Sequence, residues 1–101
     1  MDLVRDFQRG AVRLHVLHHA ANEEVYGAGL AAELATHGHV VGPGTLYPLL
    51  HHLEASGELS SRVVQVGGRR RRCYRLTPHG RRSLAACVAA LRELASEVLE
   101  G

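Results

Sequence analysis

The chain has no Lys and no Trp, and its aromatics are three Tyr and one Phe in 101 residues. So few flat side chains argue against a surface that reads single-stranded RNA by stacking its bases. Two cysteines, Cys73 and Cys87, form no disulfide framework and fit a reducing compartment. The apolar runs are far shorter than the ~20 residues of a membrane helix. The opening MDLVRDFQRG lacks the apolar core of a signal peptide. These absences lead us to expect a cytoplasmic protein without membrane contact. There is no G-x-S-x-G elbow and no Walker-type loop, so neither an enzyme nor a bound cofactor is expected.

Acid is also missing, but only locally. Residues 59–92 hold nine Arg and no Asp or Glu, a balance of +9. Residues 1–58 hold three Arg and seven acids, a balance of −4, and residues 93–101 hold three acids. The net charge of +2 conceals this separation. One concentrated basic segment is the footprint of a polyanion-binding element.

What is present is mostly helical. Residues 2–21 carry Leu3, Phe7, Leu14 and Leu17 on one side, with Val4, Val12 and Val16 elsewhere. A surface this wide predicts burial by more than one neighbour. Residues 26–37 form a short second helix, closed by Gly38. A third runs from Pro43, with Gly42 as N-cap, to Gly57 as C′. Pro48 sits a turn inside it and leaves the Gly44 carbonyl without its helical donor, so a bent or tightened first turn is expected. Two β-branched or basic runs, 59–66 and 69–77, flank Gly67-Gly68 and predict a hairpin tipped with Arg69–Arg72.

Thr77-Pro78 is an N-cap with Pro at N1, opening a last helix. Leu84, Val88, Leu91, Ala95 and Val98 follow at spacings of 4, 3, 4 and 3, with Cys87 and Leu94 widening the stripe. Cys87 is expected in the core. This heptad-like seam is longer than a small domain needs and predicts packing against another chain. Leu84, Val88, Leu91, Leu94 and Val98 are the candidate dimerisation residues. The expected fold is mainly α with a small β-hairpin. A winged helix-turn-helix fills residues 1–76, and a dimerisation helix fills 77–101. In such a fold the third helix enters the major groove and the wing touches backbone or minor groove.

GTLYPLLHHLEASGEL (44–59), the glycine-tipped hairpin and CYRLTPHGRRSL (73–84) resemble the PadR family of bacterial transcriptional regulators. The family pattern is roughly GTLYP-x-L-x-x-LE-x-x-G, a wing, then YRLT-x-x-G, and the similarity covers residues 26 to 84. It implies a homodimer on double-stranded operator DNA, usually a repressor released by an effector. Three features depart from it: Gly42 replaces a common Ser or Thr, His51-His52 replace common basic residues, and the Pro before the second helix is absent. The candidate DNA-contacting residues are Pro43, Gly44, Thr45, Tyr47 and His51 on the third helix, with Arg69, Arg70, Arg71 and Arg72 on the wing. The bland alternatives are a capping Thr45, a core Tyr47 and a solvated arginine loop.

Eight histidines are many for this length. His15, His18 and His19 share one helix face at i, i+3 and i+4, a spacing that can chelate a divalent metal. His37 and His39, or His51 and His52, are possible further ligands in a dimer. The alternative readings are therefore a metal-responsive repressor and a winged-helix protein–protein module whose arginines meet an acidic partner. The effector itself, small molecule or metal, is not legible. Cys73, beside four Arg, is either a redox sensor or a packing residue.

Overall fold

The computed structural model describes all 101 residues. Its elements are α1 (Leu3–Asn22), β1 (Val25–Tyr26), α2 (Gly27–Thr36), α3 (Pro43–Ala55), β2 (Leu59–Val66), β3 (Arg69–Leu76) and α4 (Pro78–Glu100). The three strands form one antiparallel sheet in the order β1-β3-β2. Helix-turn-helix followed by a hairpin gives the expected winged helix.

The sequence signals at the element ends act as local chemistry requires. Asp2 caps α1, its carboxylate accepting from the Arg5 N–H at 3.0 Å. Both α2 and α3 end in Schellman motifs, with Gly38 at φ 85° and Gly57 at φ 90°. At the end of α3, Glu58 N–H donates to the Leu53 carbonyl and Gly57 N–H to that of Glu54. Gly67 and Gly68 both take positive φ (58° and 79°) between the paired Val66 and Arg69. This is the type I′ turn that matches strand twist.

One core serves α1, α2, α3 and the sheet. Val16, Leu17 and Ala20 of α1 meet Leu30 and Leu34 of α2, Leu46, Leu50 and Leu53 of α3, and Leu59, Tyr74 and Leu76 of the hairpin. Only 14 residues are buried, so this chain alone leaves much apolar surface unpartnered. The first ten residues are all exposed, Phe7 at 62%. In α4 only Gly80 is buried, while Leu91, Leu94, Val98 and Leu99 are exposed. Cys87 is exposed as well, which corrects the expected core position. It lies on the part of α4 that extends past the core. Cys73 is buried, as packing rather than redox sensing requires.

Candidate nucleic-acid interface

Helix α3 has a core face and an exposed face. Leu46, Leu50 and Leu53 face the core, whereas Pro43, Gly44, Thr45, Tyr47, Pro48, His51 and His52 are all exposed. Gly42 provides no side-chain cap and Pro43 has no N–H, so in the first turn the Gly44 N–H is left for an anion. Thr45 N–H turns back to the Gly42 carbonyl at 3.1 Å, an i→i−3 bond that tightens this turn. Nothing lies within 4 Å of where a Gly44 Cβ would stand, so any close approach there must come from outside the chain. Tyr47 is half-exposed (46%), with its ring edge against Gly27 at the start of α2. A Cβ on Gly27 would lie 2.7 Å from that ring. Tyr47 thus belongs wholly neither to the core nor to the solvent-facing surface, and its ring leaves room only for glycine at position 27.

The four wing arginines are not equivalent, because strand residues alternate faces. Arg69 and Arg70 are exposed beside the Gly67-Gly68 turn. Arg71 lies over the Tyr26 ring at 4.6 Å from its centroid, a cation–π contact that holds β1 to the wing. Arg72 donates to Ser61 Oγ at 3.0 Å, and Ser61 donates to Glu54 Oε2 at 2.7 Å. This chain of contacts ties the wing to the last turn of α3. Opposite it, Arg62 makes a bidentate pair with Glu24, both bonds 2.9 Å, flanking Cys73 on the sheet's outer face. The Arg62 hydrogen bond, reinforced by the charge, holds the Glu24 carboxyl below its ordinary range.

A second junction fixes α4 to the end of α3. Thr77 Oγ1 donates to the Gly57 carbonyl at 2.5 Å and accepts from Gly80 N–H at 2.9 Å, while Thr77 N–H donates to the Glu58 carbonyl. Gly80 is required here: an added Cβ would stand 2.1 Å from the Glu58 carbonyl oxygen. The threonine and glycine of the YRLT-x-x-G pattern are thereby explained.

Three residues absent from the sequence expectation also face this region. Arg5, Arg9 and Arg13 of α1 line a cleft of about 540 Å³ whose other wall includes Gly42, Thr45, Pro48 and His52. Their i, i+4, i+8 spacing was the available signal, masked by Asp2 and Asp6 in the local charge balance.

The helix 1 histidines converge on α2. His15 lies 5.1 Å from His37, 4.9 Å from His39 and 6.0 Å from His19 between ring centroids. Donor atoms of His19, Glu33 and His37 all fall within 4.8 Å of one another. His18 is exposed and meets only His19, and His51 and His52 lie on α3, outside the cluster. Of the expected trio, His19 alone falls in this group, beside Glu33 and His37 of the same chain, while His15 reaches it through ring contacts and His18 stands apart. Burial, then the neighbouring His39, His37, His19 and His18, hold the His15 pKa below its ordinary value. The native state therefore resists a proton that the unfolded chain accepts, so stability is full above pH ~6.5 and falls as pH drops below it. Thermal melts between pH 7.5 and 5 should show that fall, and His15→Gln should flatten it. An unaltered slope in the variant would reject the assignment.

Comparison with known proteins agrees with this architecture. The Transcriptional regulator PadR-like family model matches residues 16–86. The chain is 60% identical over 98 residues to Transcriptional regulator Rv3488 of Mycobacterium tuberculosis (strain ATCC 25618 / H37Rv), covering 97% of this chain and 92% of that one. A PadR family transcriptional regulator from Eggerthella lenta DSM 2243 superposes with a TM-score of 0.86 at 35% identity, covering 97% and 87% of the two chains. A PadR-like transcription factor from Bacteroides fragilis gives 0.83 at 30% identity, covering 98% of each. With its winged helix, its wing arginines and its YRLT-x-x-G junction in place, the chain belongs to the PadR-like family of transcriptional regulators.

Proposed function

We propose that this protein is a homodimeric repressor that holds operator DNA in the cytoplasm until an effector releases it. One observation carries the reading. The exposed face of α3 and the free arginines Arg69 and Arg70 belong to one rigid unit, joined through Glu54, Ser61 and Arg72. Thr45, Tyr47 and His51, with Pro43 and Gly44 at the helix start, meet the major groove, and the wing tip meets phosphates or the minor groove. Arg71 and Arg72 serve the wing's own geometry first and add long-range positive potential.

A second copy covers the remaining apolar surface. Leu84, Val88, Leu91, Leu94 and Val98 run along α4, and Leu3, Val4 and Phe7 expose the start of α1. Residues 77–101 form the dimerisation helix, and residues 1–76 carry the DNA surface, with the first turns of α1 joining the dimer. A pair of recognition helices then meets two half-sites.

The test is the salt dependence of DNA binding. Arg69→Ala/Arg70→Ala should weaken binding to all duplexes. It should also reduce the slope of log K against log salt by roughly 1.8, since each phosphate contact contributes about 0.9. Slopes equal to those of the wild type would remove the wing from the interface and favour an acidic protein partner.

A further inference from the structure

His15, His19, Glu33 and His37 do not line the cleft beside α3, yet the histidine cluster is too ordered to be a scatter of surface residues. Four imidazoles, His15 and His19 from α1, His37 at the end of α2 and His39 in the turn after it, are linked by ring contacts. His19 adds a specific feature: its Nε2 is buried and has no hydrogen-bond partner. Such orphaned buried donors or acceptors are uncommon and point to a missing ligand. Glu33 stands on the same side, with its carboxylate 3.7 Å from His37 Nε2.

We propose that His19, Glu33 and His37, with His15 closing the fourth position, form a binding site for one borderline divalent cation such as Zn²⁺ or Ni²⁺ in each chain. Tetrahedral ligands at about 2.1 Å from a metal stand roughly 3.4 Å apart. The three donor atoms already lie within 4.8 Å of one another. Side-chain rotation alone closes that gap, because Glu33 and His37 are half-exposed. Glu33 and His37 are related by i, i+4 across one turn of α2 and its C-cap, as His15 and His19 are on α1. Two such pairs on neighbouring helices face each other, which supplies four ligands without the dimer. Three imidazoles and one carboxylate suit zinc, nickel, cobalt or copper and disfavour magnesium and calcium, which take oxygen ligands. The bound ion ties the last turn of α2 to α1, immediately before the Gly38–Gly42 loop that feeds the recognition helix. The site stands on its own geometry and does not depend on the DNA-binding reading.

Calorimetric titration of the full-length, metal-stripped protein with zinc chloride at pH 7.5 tests it, alongside the visible spectrum after cobalt addition. We expect one ion per chain with a dissociation constant on the order of a micromolar or below, the spectrum of a tetrahedral cobalt site, and no heat with magnesium. His19→Ala and His37→Ala should each weaken zinc at least about 100-fold, more than loss of an outer partner costs. His15→Ala should weaken it less and shift the cobalt spectrum, as water takes the fourth position. His18→Ala, next to the cluster but outside it, should bind like the wild type. All four positions are helical or at a helix end, where Ala is well tolerated, and circular dichroism checks that each variant is folded. Absence of 1:1 binding up to ~100 μM zinc, far above the range of a built site, would overturn the proposal. So would wild-type affinity in either the His19 or the His37 variant.

Discussion

Gly80→Ala should lower the stability of this protein by about 3 kcal/mol, near the top of the range for forcing atoms into a packed site. For a domain of this size that is a loss of roughly 10–25 °C in melting temperature. The added methyl would stand 2.1 Å from the Glu58 carbonyl oxygen and 2.6 Å from Leu76 Cδ1. Neither neighbour is free to yield. The Glu58 carbonyl accepts from Thr77 N–H at 3.0 Å, and Leu76 belongs to the core. Any shift therefore also opens the Thr77 cap, which by itself contributes about 1 kcal/mol. The same substitution at Gly10 supplies the contrast. That glycine lies inside α1 with nothing within 4 Å of its would-be Cβ, so Gly10→Ala should raise stability by about 0.5–1 kcal/mol. Melts of the three proteins at one concentration read both signs. Equal melting temperatures for Gly80→Ala and the wild type would mean that α4 does not start where it is placed.

The second large effect belongs to the apolar seam. Leu91→Glu/Val98→Glu should leave the chain folded and break the proposed dimer. Both side chains are substantially exposed in one chain, 48% and 66%, so the substitution costs the monomer little. In the dimer it would bury four carboxylates in place of groups that each contribute about 1.5–3 kcal/mol on full burial. Sedimentation should give the mass of one 11.0 kDa chain instead of two. Operator affinity should fall by about 100-fold or more, because the second recognition helix no longer binds at the high effective concentration that linkage provides. A variant that still sediments as a dimer would place the interface elsewhere.

Much of the fold was legible because its signals are local. Pro43 and Pro78 at helix starts, Gly38 and Gly57 at helix ends, and Gly67-Gly68 at the hairpin each act within a turn of chain. The PadR resemblance added the grouping of these elements into a winged helix. The strand Val25–Tyr26 was not legible, since two residues carry no periodicity and exist as a strand only through pairing with Tyr74 and Cys73. Nor was the division of labour among Arg69–Arg72, which depends on Tyr26 and Ser61 from distant parts of the chain. The apolar stripe of α4 is a local pattern, and its periodicity does not say whether the partner is this chain or another. Cys87 shows the consequence: it stands exposed on this chain instead of inside its core. The histidines were legible as a helix face on α1, but their meeting with Glu33 and His37 is a fact of tertiary packing.

The repressor reading requires sequence-specific DNA binding by the α3 face and the wing. Its most direct test is an electrophoretic shift with the protein's own upstream region against random duplex of equal length, at fixed salt. Specific recognition predicts binding at least ~1,000-fold tighter to the upstream fragment, with the preference reduced in Thr45→Ala. Equal affinity for the two duplexes, unchanged by Thr45→Ala, would contradict the account.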